Sequence, residues 1–367
     1  MFVRSHINQL KATLCVAFSF LLLSPLTTTN LFAAQQYDGL KLPAIQSPLA
    51  TKSLVYSVSR TGDRFFAAGH RGHILYSDDY GETWTQAKVP VRTAILDIHF
   101  PTQDMGWAVG HGGVILHSSD GGNTWTKQFD GYRLGTEGLA YYESKASAEP
   151  ENERFSYLVS EMQYAVDQGA DKPFFKVHFE DENTGYVAGA YGVLFRTDDS
   201  GQNWVPYMEI LDLYQYIHLY DFDIVDGKYV LAGEMGTLLL RNKQSGDFEP
   251  QDYPFDGSIF TVLVTGPGRL IAGGLRGKVF HSEDAGVNWS ESDKPNSGAI
   301  IDSLVLSDGR ILIASNEGKL MVSADGGETF SILRVGHRGR ISSVIESSPD
   351  KLIISGPFGL RRLSLDN

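Results

Sequence analysis

A pair of glycines three residues apart returns along this chain at a nearly constant interval. It stands at Gly69–Gly72, Gly110–Gly113, Gly189–Gly192, Gly233–Gly236, Gly274–Gly277 and Gly356–Gly359, with Ser315–Gly318 as a variant. The second glycines are 41, 79, 44, 41, 41 and 41 residues apart. A fixed period of this size marks a repeat architecture, in which each unit buries its apolar face only against its neighbours. Each unit reads as short strands. In the second, Ile95–Phe100, Trp107–Val109, Val114–His117 and Trp125–Phe129 are β-branched and aromatic runs, punctuated by Gly and Asp. Four strands in about 40 residues describe a propeller blade. The chain is therefore expected to be all-β, a seven-bladed β-propeller.

A second motif follows each glycine pair, with the form Ser/Thr-x-Asp-x-Gly-x-x-Trp/Phe. Its copies are Ser77-Asp79-Gly81-Trp84, Ser118-Asp120-Gly122-Trp125, Thr197-Asp199-Gly201-Trp204, Ser282-Asp284-Gly286-Trp289 and Ser323-Asp325-Gly327-Phe330. The copy around Asn242–Phe248 is degenerate, and the seventh unit has none. The Ser and Asp side chains can bond the backbone of their own hairpin, the Gly permits the turn, and the ring packs between loops. These boxes are expected to be structural staples. Each offers too few convergent oxygens for a calcium site. The seventh unit supplies three strands, ending at Arg361–Leu365. The fourth is expected from the segment around Tyr37–Pro43, which would leave no open edge.

The single long interval holds an insertion between blades two and three, at about residues 130–172. Phe155, Leu158, Val159, Met162, Ala165 and Val166 recur at helical spacing, so part of it is expected to be a helix. Strand alternation then assigns faces. The glycine-pair turns join second to third strands, and the insertion joins a fourth strand to the next first strand. Both belong on one face, and the boxes on the other.

The first 34 residues read as a signal peptide. Arg4 and Lys11 precede an apolar run, Leu14–Leu23, too short to span a bilayer comfortably, and Ala33-Ala34 follows. Residues 35–367 are then the propeller, with no further membrane span. Cys15, the only cysteine, lies inside the leader. A chain without thiols or disulfides suits a Gram-negative periplasm or a thylakoid lumen. The formal charge is −13, and loss of Arg4 and Lys11 makes it more negative. That balance argues against nucleic acid and against adsorption to anionic lipid.

On the glycine-pair face the sequence gathers cations. His70, Arg71, His73, His111, Tyr191 and Arg276 lie in or beside the turns, and Arg92, His337, Arg338 and Arg340 lie in loops of the same face. The planar fork of arginine matches carboxylates. This face is expected to bind an anionic group, such as the C-terminus or an acidic segment of a protein client. No metal, cofactor or catalytic residue is expected.

The order of glycine pair and box in 41-residue units behind a leader resembles the photosystem II assembly and stability factors. Stretches such as Gly106-Trp107-Ala108-Val109-Gly110 and Thr184-Gly185-Tyr186-Val187-Ala188-Gly189 are similar to that family's blades, and the resemblance covers about residues 54–367. It implies a non-catalytic assembly factor that holds a membrane-protein subunit through Arg71, Arg276 and Arg338, with Arg92 and Arg340. Two other functions share the architecture. One is a glycoside hydrolase or glycan-binding protein of the box-repeat type, although the Phe/Tyr-Arg-Ile-Pro motif of sialidases is absent here. The other is a periplasmic accessory of an envelope transport complex.

Overall fold

The computed structural model describes residues 38–211, 217–225, 227–242 and 246–365. The leader lies outside these residues. Seven antiparallel sheets follow one another along the chain, six of four strands and the last of three. The first strands of the blades are Val55–Thr61, Ile95–His99, Phe174–Phe179, Leu219–Val225, Ile259–Gly266, Ile300–Val305 and Ser343–Ser348. They line a common channel, and each sheet runs outward from it in chain order.

Neighbouring blades are joined by aromatic stacks. Phe66 of blade one lies 3.9 Å from Phe100 of blade two, and Trp107 of blade two lies 3.6 Å from Phe179 of blade three. Phe100 and Phe179 each take their own blade's box tryptophan edge-on, Trp125 and Trp204. Each such pair contributes about 1 kcal/mol beyond area burial.

The first glycine of each pair is needed because the chain crosses itself there. A Cβ on Gly110 would lie 2.0 Å from the carbonyl oxygen of Ala94, just before the first strand, and one on Gly274 would lie 2.1 Å from that of Ser258. Register shifts at the start of the first strands produce this approach.

Two expectations are corrected. The N-terminal segment does not complete blade seven. Asp38–Pro43 contains no strand, and it lies along blades one and two: Arg92 N donates to Gly39 O at 2.7 Å and Ala44 N to Val89 O at 3.0 Å. Tyr37 falls outside the described residues. The ring closes instead by packing of Ile353 and Ile345 of blade seven on Val55, Val58 and Leu75 of blade one. The insertion is two helices, not one. Helix α1 spans Gly131–Ala148 and α2 spans Glu153–Gln168, capped by the Asp130 and Asn152 side chains. The expected stripe is present on α2: Phe155, Leu158, Met162 and Ala165 are buried. Helix α1 carries Gly135 and Gly138 where it crosses α2, and a Cβ on Gly138 would meet Met162 Sδ at 2.5 Å. Those glycines depress helix propensity, which hid α1 from a periodicity reading. Neither helix is long and apolar enough to cross a membrane.

Candidate functional site

The boxes are hairpin staples. In the first, Gly81 N donates to Ser77 Oγ at 2.9 Å, Thr83 N to Asp79 Oδ1 at 2.8 Å, and Trp84 Nε1 to Gly81 O at 3.2 Å. The set recurs around Asp120 with Trp125, around Asp284 with Trp289 and, through backbone donors, around Asp199 and Asp325. Trp204 and Phe330 are buried in the same position. The Thr83 hydroxyl and amide hold Asp79 down at about 2. With their oxygens so committed, these carboxylates tie turns.

The glycine-pair turns lie on the opposite face, as alternation requires. Each is a single tight turn, His70–Gly72, His111–Gly113, Ala190–Gly192 and Leu275–Gly277 among them. In three of them the middle residue is a left-handed non-glycine: Arg71 at φ 57°, Tyr191 at 58° and Arg276 at 59°. A side chain there costs on the order of 1 kcal/mol, and such strain concentrates at functional positions.

The structure places all eight proposed binding residues on this face, but around its rim and not in one cluster. His70 and Arg71 crown blade one, and His111 crowns blade two near His70. Arg276 crowns blade five. Arg338 and Arg340 lie in the loop leading into blade seven. Arg71, Arg276, Arg338 and Arg340 are exposed and form no ion pair among the described residues. On the opposite face Arg64, Arg196 and Arg310 are each bonded to a nearby aspartate, Asp78, Asp198 and Asp308, whereas Arg60 and Arg269 are exposed without an ion pair among the described residues. Arg92 is partly engaged, since its Nε donates to Pro43 O at 3.0 Å. His73 is buried and is not part of the surface. Tyr191 stands apart on blade three, 5.1 Å from Lys172 and packed on His218.

Sequence reasoning missed the channel. At one level each first strand points a polar side chain inward: Ser57, Asp97, Lys176, Asp221, Thr261, Asp302 and Ser343, within a cavity of about 330 Å³. These side chains stitch every junction of the ring. Ser57 Oγ donates to Asp97 (2.9 Å), Val177 N to Asp97 (3.1 Å), Lys176 pairs with Asp221 (2.9 Å), and Val262 N donates to Asp221 (2.9 Å). Thr261 and Ser303 share a hydrogen bond (2.7 Å), Val344 N donates to Asp302 (2.7 Å), and Val58 N to Ser343 Oγ (3.3 Å). The last bond joins blade seven to blade one.

Burial pushes the Asp302 carboxyl up to about 6 and also raises Asp97 and Asp223. Burial alone pulls Lys176 down, but Asp221 and Asp97 overcome it and hold the ammonium above its ordinary value. His99 is pushed down to about 4 by burial and accepts Phe179 N at 2.9 Å. The available signal was a charged residue inside an otherwise apolar strand, as in Leu96-Asp97-Ile98 and Ile301-Asp302-Ser303.

A family model described as the photosynthesis system II assembly factor YCF48 matches residues 81–138 and 157–338. The chain belongs to the YCF48 family. A BNR/Asp-box repeat also matches residues 75–86, the first staple. The gap in the family match, 139–156, falls within the helical hairpin. No curated protein matches the chain. Among solved structures, one described as YCF48 bound to a D1 peptide superposes with TM-score 0.62 at 18% identity, covering 89% of this chain and 100% of that one. YCF48 from Cyanidioschyzon merolae gives 0.62 at 16%, covering 87% and 98%. The WD40 propeller domain of Doa1 gives 0.60 at 10%, covering 90% and 97%. At these identities the likeness is one of fold.

Proposed function

We propose that this chain is an exported, non-catalytic propeller that holds an acidic or carboxy-terminal segment of a membrane-protein client on its glycine-pair face. The observation that carries the reading is the set of exposed arginines on that face: Arg71, Arg276, Arg338 and Arg340 form no ion pair among the described residues, and two of them stand in strained turns. Membership in the YCF48 family and a similar structure that holds a D1 peptide support a protein segment as ligand. The leader-like sequence of residues 1–34 supports export to a periplasm or thylakoid lumen, where the client would belong to an envelope complex.

The glycosidase alternative asks for paired carboxyls in the channel, and Asp97, Asp221 and Asp302 are there. Each of them accepts a backbone amide of the next blade, however, which commits it to holding the ring. The test is fluorescence anisotropy with a labelled decapeptide carrying three aspartates and a free C-terminus. Arg276→Glu with Arg338→Glu should weaken binding at least tenfold and leave the melting temperature unchanged. Unaltered affinity refutes the assignment of this face.

A further inference from the structure

Among the described residues the outer edge of blade seven is open. Its third strand, Arg361–Ser364, has no outer partner among the described residues, whereas the other six blades carry a fourth strand there. At this edge opens a groove of about 680 Å³, running the height of the blade from Lys52 and Phe358 on the glycine-pair face to Glu82 and Trp84 of the first box. Two of the other junctions show a contact that this one lacks among the described residues. After the fourth strands of blades one and five the chain bridges to the next box: Trp125 N donates to Lys88 O at 3.0 Å and Phe330 N to Asp293 O at 2.8 Å. The amide of Trp84 has no such partner among the described residues. Its side chain is half-buried, as is that of Trp289 beside the four-stranded blade four, while Trp125, Trp204 and Phe330 are 4%, 3% and 5% exposed.

We propose that this edge takes up an extended segment of a partner protein as the fourth strand of blade seven. Strand addition satisfies the row of backbone groups that an open edge presents. The added strand runs antiparallel to Arg361–Ser364, entering at the box face and leaving at the glycine-pair face. Alternate apolar side chains pack on Trp84, Ile353 and Leu360, and Phe358, 73% exposed, covers the exit. The charges define the rest of the ligand. Lys52 and Arg361 are exposed without an ion pair among the described residues, and Arg362 bonds Glu82 at 2.6 Å while its buried Nε has no partner. Two free cations at the exit select a carboxylate at the C-terminal end of the segment. The first described residues of this chain are committed elsewhere, Ala44 to Val89 and Ser47 to Gln86. The proposal shares with the reading above only that the ligand is a protein segment. It does not use Arg71, Arg276, Arg338 or Arg340.

The probe is a fluorescein-labelled hexapeptide, Ser-Ile-Thr-Val-Glu-Leu, with a free carboxylate. We expect saturable binding, weakened at least tenfold by amidation of its C-terminus or by Arg361→Glu. N-methylation of one alternate set of its amides should abolish binding and of the other set should not, which separates strand pairing from side-chain docking. Binding should protect from hydrogen exchange the outward-facing amides of Arg361–Ser364, the alternate set not already paired with Lys351–Ser355, and persist in the Arg276→Glu/Arg338→Glu protein. The proposal is overturned if the peptide fails to bind at concentrations on the order of 1 mM, or if both methylated sets bind like the parent. Protection of those amides in the free protein also overturns it, since the chain itself or, where protection rises with concentration, a second copy then fills the edge. Loss of binding in Arg276→Glu/Arg338→Glu but not in Arg361→Glu rejects the edge and leaves the face standing.

Discussion

Lys176→Met removes the one cation of the channel belt and leaves Asp97, Asp221 and Asp302 facing one another. The ammonium lies 2.9 Å from Asp221 and 3.9 Å from Asp97. At an effective dielectric of about 20 the closer contact alone is worth roughly 6 kcal/mol before desolvation. Taking the two groups out of water offsets most of that. The lysine side chain is also 31% exposed to the channel, which screens the pair further. A net loss of about 2 kcal/mol at pH 8 remains. The sign of its pH dependence follows from the carboxyls. Without the ammonium Asp97 and Asp302, already raised by burial, ionise at still higher pH, so the folded mutant holds protons that the unfolded chain has released. Lowering the pH from 8 to 5 should therefore recover much of the loss. Urea melts of wild type, Lys176→Met and Lys176→Arg at both pH values measure it. A deficit below about 0.5 kcal/mol at pH 8, or one equal at pH 5, refutes the view that this charge network joins blades three and four.

Asp302 gives a separate pH signature. Its folded value of about 6 exceeds the ordinary carboxylate value near 4. Wild-type stability should thus fall as pH rises from about 4 to about 6 and then level off, by up to ~3 kcal/mol, and Asp302→Asn should flatten that slope in melts across the window. Trp125→Ala should cost about 3 kcal/mol by denaturant titration, and Trp84→Ala markedly less because its ring is half-exposed beside the open edge. Equal losses would contradict the difference in burial on which the edge argument stands.

Most of the ring was legible because its constraints are local. The glycine pairs mark positions where a Cβ would strike the carbonyl before the first strand, so the sequence repeats them in nearly every blade. The box residues bond within their own hairpin, as Ser77, Asp79 and Thr83 do, and the eight residues Ser77–Trp84 state the whole device. What depended on distant partners was hidden. The role of Asp97 depends on Val177 N, 80 residues away, and no spacing announces it. Helix α1 was obscured because Gly135 and Gly138 serve its contact with α2 rather than its own propensity. Closure of the ring was misjudged for a related reason. Asp38–Pro43 reads as a free extended segment, but Leu40 is buried in the core shared by blades one and two and Arg92 clasps the Pro43 carbonyl. The face was legible in its placement, since alternation alone fixes which loops share it, but not in its spread around the rim.

The most direct measurement is hydrogen exchange on the protein with and without the three-aspartate decapeptide, read by mass spectrometry over all seven blades. Binding to the arginine-bearing face should slow exchange in the His70–Gly72 and Leu275–Gly277 turns and the His337–Arg340 loop, leaving the hairpins around Asp79, Asp120 and Asp284 unchanged. Slowing confined to those hairpins, or to the interior of the channel, would contradict the account.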